Sequence, residues 1–159
     1  MKTLGLYGGT YDPPGIHRRV HAKMLTERFD EVIMFPGGPR PRGEILNDTE
    51  LIHRAVMADL TLRGVPRVRV ELDDLEQERQ APAWQLEERF GREGQVTHVI
   101  PADMVSQKYG DDPWIISGWE RGREMWQNSR FLILRADNDP VPMPDLPANV
   151  EVVTVPPWE

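Results

Sequence analysis

Cysteine is absent from the 159 residues, which removes disulfide bridges and thiolate metal sites and leaves the redox compartment unmarked. Also missing is any apolar run long enough for a signal peptide or a membrane span. Met1-Lys2-Thr3 leads straight into a short strand-like segment, and a cytoplasmic location is the default expectation. Basic charge is in short supply: Lys and Arg total 19 against 26 for Asp and Glu, a net charge of −7. Such a chain lacks the broad basic surface that neutralises a nucleic-acid backbone, so neither nucleic acid nor membrane is an expected partner. Internal repeats are absent too, and low complexity is confined to the Pro-rich stretch Asp139 to Pro147. A chain of this length fits one domain, 1–159, with a core of its own, and leaves open whether that domain forms a homo-oligomer.

What is present is concentrated near the start. The apolar run Leu4 to Tyr7 breaks at Gly8-Gly9, and after Thr10-Tyr11-Asp12-Pro13 a helical segment carries His17, Arg18, Arg19 and His21. Strand, glycine loop and helix start make an anion site, because glycine admits a ligand close to the main chain and the first helical turn offers unpaired N–H groups. His17 and His21 lie four residues apart and so share one helical face. The four basic side chains together place up to four donors beside such a site. A plain strand-to-helix turn with a solvated His pair is the competing reading of the same residues.

Strand-like and helix-like periods alternate along the rest of the chain. Ile16, Val20, Met24, Leu25 and Phe29 recur at helical spacing, Asp30-Glu31 closes that helix, and strand 31–35 follows, completing a βαβ unit with strand 2–7. Pro36 to Gly43 is too rich in Pro and Gly for either regular structure. Asn47 and Glu50 resemble a capping box for a helix from about Thr49 to Leu62, with Leu51, Ile52, Ala55, Met57, Ala58 and Leu62 on its buried stripe and Gly64 and Pro66 beyond its end. Arg67 to Leu72 alternates, which predicts a strand near a sheet edge. Asp73 to Gln80 reads as a charged connector. The segment from Ala81 to about Gly91 reads as a helix, Val96 to Ile100 as a strand and Gln107 to Gly118 as irregular. Trp119 to Asn128 is a predicted helix, and Arg130 to Leu134 and Val150 to Val155 are predicted strands. This alternation predicts an α/β protein with a Rossmann-like three-layer sandwich around a parallel sheet.

The opening segment resembles the signature of the nucleotidylyltransferase superfamily, most closely that of the nicotinate-nucleotide adenylyltransferases: Gly-Gly-Thr-Phe-Asp-Pro followed by His-x-Gly-His. Gly8-Gly9-Thr10-Tyr11-Asp12-Pro13 matches with Tyr for Phe, whereas Gly15 and Arg18 stand where the two family histidines would fall. His17 is then either the second His with one residue lost or the first displaced by two. Further likenesses follow in order: Pro36 to Arg42 with the family's Pro-rich basic loop, and Arg54-Ala55-Val56-Met57 with its Arg-x-x-Met helix. Arg79 to Trp84 is similar to Arg-x-x-x-Ser-Tyr-Thr, Ile100-Pro101-Ala102-Asp103 to Ile-Gly-x-Asp, and Trp119 to a Trp that opens the next family helix. The resemblance implies a single nucleotidylyltransferase-like domain with core strand order 3-2-1-4-5.

It also implies adenylyl transfer from ATP to nicotinate mononucleotide, with release of pyrophosphate, in NAD biosynthesis. ATP would bring Mg2+ on its phosphates, and no metal site of the protein's own is expected. Because the nucleophile is already a phosphate, the protein's task is to align two anions and stabilise developing charge. His17 and Arg18 take the part of transition-state donors and His21 that of a helper. Gly8, Gly9, Thr10 and Tyr11 would hold phosphates, and Arg42, with Arg40 as substitute, the pyrophosphate. Trp84 and Trp119 would frame the pyridine ring, and Asp103 a ribose hydroxyl. Each has a plainer reading as well: solvated loop arginines, packed tryptophans, an Asp103 that caps the next helix, and an Arg54 that pairs with acids such as Glu50. His53 and His98 are assigned no role. The chain ends at Pro156-Pro157-Trp158-Glu159, where the family continues into Ile-Ser-Ser-Thr-x-x-Arg, an element that binds ATP phosphates. Stronger mononucleotide binding than transfer is therefore expected. A non-catalytic or weakly active nucleotide-binding relative, and a nucleotidylyltransferase for another phosphorylated acceptor, remain open.

Overall fold

The computed structural model describes residues 1–9, 17–37, 51–76, 81–106, 108–109, 112–136 and 146–155. Six strands, β1 (Thr3–Gly9), β2 (Glu31–Pro36), β3 (Val68–Val70), β4 (Gln95–Pro101), β7 (Arg130–Arg135) and β8 (Val150–Thr154), form one sheet in the order β3-β2-β1-β4-β7-β8. The pairs β1–β2, β2–β3, β4–β7 and β7–β8 are all parallel. The expected order 3-2-1-4-5 is thus observed, with β8 added as the sixth strand. A separate antiparallel pair joins β5 (Lys108–Tyr109) to β6 (Asp112–Pro113). Among the described residues no helix is long and apolar enough to cross a membrane.

By its internal contacts the chain divides into two compact units, one essentially Lys2–Ala81 and the other essentially Pro82–Pro157. In the first, Leu4, Leu6 and Tyr7 of β1 and Val32, Ile33 and Met34 of β2 are buried, the run of consecutive apolar residues that a doubly covered parallel sheet demands. Thr3 donates to Asp30 Oδ2 through its amide (2.8 Å) and its hydroxyl (3.2 Å), tying the two strand starts together and holding the Asp30 carboxyl below its ordinary pKa. All three residues of β3 stay partly exposed, as its place at the sheet edge requires.

Helix α1 (His17–Leu25) is shorter than its apolar spacing suggests, and the chain turns at Thr26 to seat Phe29 under Gly5. In α2 (Leu51–Leu62) the stripe differs from the expected one. Ile52 is 64% exposed, while Arg54 is fully buried, its guanidinium donating to Gly37 O at 2.5 Å. The pairing expected with Glu50 falls on a residue outside the described ones. Gly64, at φ +83°, ends α2 as expected. Arg19 donates to Thr61 O (3.1 Å) and Arg63 O (2.7 Å), satisfying carbonyls at the end of α2. It does not join the other basic residues of its segment. The connector after β3 contains one helical turn, α3 (Asp73–Glu76).

In the second unit α4 (Ala83–Phe90) precedes β4, and α5 (Asp103–Ser106) follows it. The stretch expected to be irregular contains α6 (Trp114–Gly118) as well as β5 and β6, and α7 (Gly122–Asn128) starts three residues later than predicted. The interruption falls at Arg121, whose φ of 58° is left-handed and incompatible with a continuous helix from Trp119. Ile100, Val105, Ile115, Met125, Trp126, Phe131 and Ile133 make the core of this unit, with Trp84 and Trp119 packed against it.

Candidate nucleotide site

At the carboxyl end of β1 the structure brings Tyr7, Gly8, Gly9, His17, Arg18 and His21 together. Arg18 donates to Gly8 O at 3.0 Å, and its guanidinium carbon lies 4.6 Å from the Tyr7 ring centre. The Tyr7 hydroxyl and His21 Nδ1 are hydrogen-bonded at 2.8 Å, and the His17 and His21 rings meet edge to face at 5.5 Å. The i, i+4 spacing thus does put both imidazoles on one face. Gly37 N donates to Gly9 O at 2.7 Å, and Arg54 holds Gly37 from the other side, so the exits of β1 and β2 are tied together. A parallel sheet offers its ligand site at this edge.

Burial, reinforced by His17 and Arg18, lowers the His21 pKa to about 4, and burial followed by Arg18 lowers that of His17. At neutral pH both rings are therefore neutral. Arg18 supplies the positive charge of the described cluster, while each imidazole offers one N–H donor and one acceptor.

Neither Gly8 nor Gly9 has a left-handed φ, so the reason for glycine here is space. A Cβ on Gly9 would collide with the Arg18 guanidinium, and one on Gly8 with the Phe35 ring. Gly9→Ala is accordingly expected to displace a flexible guanidinium end without unfolding the chain. Any adenylyl transfer of the kind the resemblance implies should fall about tenfold or more while the melting temperature moves by no more than a few degrees. Steady-state kinetics beside a thermal melt checks this, and a large loss of stability with normal specific activity would be the contrary result.

In the second unit, Trp84 and Trp119 are half-buried. Arg121, exposed, lays its guanidinium 3.9 Å from the Trp84 ring centre. Trp119 touches His98 edge-on at 5.9 Å and Phe131 at 6.0 Å. His98, which sequence reasoning left without a role, is 3% exposed and bonded through Nε2 to Glu87 Oε1 at 3.1 Å. That bond, outweighing desolvation, holds the Glu87 carboxyl below its ordinary pKa. Asp103 opens α5, but its side chain lies outside the described set, as do Thr10, Tyr11, Arg40 and Arg42. Among the described residues no group of three or more His, Asp or Glu side chains could hold a metal ion.

Two contributors, Tyr7 and Arg121, went unnoticed in the sequence, and Arg54 was noticed there without its bond to Gly37. Tyr7 passes for a core strand residue, although a hydroxyl immediately before the glycine pair is a usable signal. Arg121 carries no periodic signal.

No family model matches the chain. It is 30% identical over 116 residues to a nicotinate-nucleotide adenylyltransferase of Bacillus subtilis (strain 168), a match covering 66% of this chain and 58% of that relative. The chain thus spans little more than half the length of that curated relative. Two solved structures of Plasmodium falciparum nicotinic acid mononucleotide adenylyltransferase share its fold. The complex with APC gives a TM-score of 0.68 at 17% identity, covering 99% of this chain and 76% of that one. The complex with NaAD gives 0.70 at 16% identity, covering 99% and 77%. In fold and in sequence, then, the chain is a relative of the nicotinate-nucleotide adenylyltransferases.

Proposed function

We propose that this protein transfers the adenylyl group of ATP to nicotinate mononucleotide, releasing pyrophosphate. The observation that carries the reading is Arg18, a guanidinium braced on Gly8 O and Tyr7 beside two neutral imidazoles at the carboxyl edge of the sheet. Such a cluster supplies no activated nucleophile, and this reaction needs none, since the acceptor phosphate attacks the α-phosphorus of ATP and pyrophosphate leaves. Arg18 stabilises the charge that develops on the transferring phosphate, with His17 as a neutral donor beside it. The hydrogen bond between the Tyr7 hydroxyl and Nδ1 of His21 fixes that ring beside Arg18. Gly8, Gly9, Thr10 and Tyr11 line the phosphate path, Arg40 and Arg42 hold the pyrophosphate, and Trp84, Asp103 and Trp119 receive the acceptor. Mg2+ arrives on the ATP phosphates. The whole chain, 1–159, acts as one nucleotidylyltransferase-like domain.

Pyrophosphate release from ATP, measured across a panel of phosphorylated acceptors, tests this. Release that depends on nicotinate mononucleotide is expected. Release with a different acceptor alone would make the protein a transferase for that compound, and tight nucleotide binding without release would make it a non-catalytic relative.

A further inference from the structure

The place of Arg121 is built by its neighbours. Gly122 has no room for a Cβ against Ile115 O, its amide donates to Trp119 O at 2.9 Å, and Arg121 O accepts from Met125 N at 2.9 Å. The residue between is held at φ 58°, ψ 27°, a conformation that an L side chain rarely adopts and that clusters at functional sites. Its guanidinium lies over the Trp84 indole and is exposed, and no acceptor for its N–H groups is recorded among the described residues. Beneath it the indole Nε1 of Trp84 is buried and has no hydrogen-bond partner among the described residues, an unusual state for a buried donor.

We propose that Arg121, braced on Trp84, is the residue that selects an acceptor whose flat ring carries a carboxylate over one carrying a carboxamide. The inference rests on the acceptor reading given above. A guanidinium centred 3.9 Å from the indole ring centre leaves N–H groups for a ligand, and two parallel N–H donors match the two oxygens of a carboxylate. A carboxamide offers one acceptor oxygen and turns its NH2 group against donors, leaving a charged group unpaired on binding. Trp119, packed against the same core, supplies aromatic surface for the ring.

The test is calorimetric binding of nicotinate mononucleotide and nicotinamide mononucleotide to the full chain, to Arg121→Gln and to Arg121→Gly. Glycine suits the left-handed backbone and guards against a folding defect. The wild-type chain should prefer the acid. Both variants should lose about tenfold to a hundredfold in affinity for the acid, with little change for the amide. An unchanged preference in the variants overturns the proposal. So does an equal loss for both ligands, which would put the guanidinium on the shared 5′-phosphate. Failure of the wild-type chain to bind either compound removes the acceptor reading, and this inference with it. Binding of both with the preference untouched removes this inference alone.

Discussion

In the proposed reaction, Arg18→Met is expected to lower the rate of adenylyl transfer about a hundredfold or more, with kcat falling more than KM rises. Removing a preorganised donor from developing phosphate charge costs on the order of 3 kcal/mol in the transition state, because the contact strengthens as the charge appears. With His17 and His21 neutral, nothing else in the described cluster replaces the lost cation. Methionine keeps an unbranched apolar stem over Tyr7, and the bond lost to Gly8 O contributes about 1–2 kcal/mol to folding. The variant should therefore remain folded, and kinetics beside a urea titration separate the two effects. An unchanged kcat would remove Arg18 from the chemistry.

The second large effect is on stability against pH. The folded protein holds His21 neutral with a pKa of about 4, against 6.5 for an ordinary histidine. The unfolded chain therefore takes up a proton first as pH falls. Stability from the neutral ring is fully present above pH 6.5 and is lost progressively as pH drops toward 4, to a total of about 3 kcal/mol. Other groups also titrate in that window, so the informative quantity is a difference between proteins. Between about pH 7 and pH 4.5, wild type should lose roughly 2–3 kcal/mol more than His21→Gln, read from urea midpoints. Parallel losses in the two proteins would mean that the ring accepts a proton in the folded state.

How far such properties can be read from residue order varies along the chain. Leu4 to Tyr7 was legible because a central parallel strand is apolar on both faces and the glycines mark its end. The edge position of β3 was legible because Arg67 to Leu72 alternates. The buried stripe of α2 was misjudged at Ile52 and Arg54, since periodicity assigns burial by hydropathy and Arg54 is buried by the carbonyl of Gly37, a partner distant in sequence. Arg19 resembled a site residue by adjacency alone, and only its hydrogen bonds to the end of α2 show otherwise. Asp73–Glu76 is too short to carry a helical period. The break at Arg121 arises from close packing of Gly122 on Ile115, which the string Trp119 to Asn128 does not announce. The histidine question was half legible: spacing put His17 and His21 on one face, but their neutrality comes from burial and from Arg18.

The most direct measurement is mass-spectrometric detection of the dinucleotide formed from ATP and nicotinate mononucleotide, with wild type and Arg18→Met assayed side by side at neutral pH. Nicotinate adenine dinucleotide should accumulate with wild type, in step with pyrophosphate, and about a hundredfold more slowly with the variant. Dinucleotide formed equally fast by the variant, or none formed by a folded wild-type chain, would contradict the account.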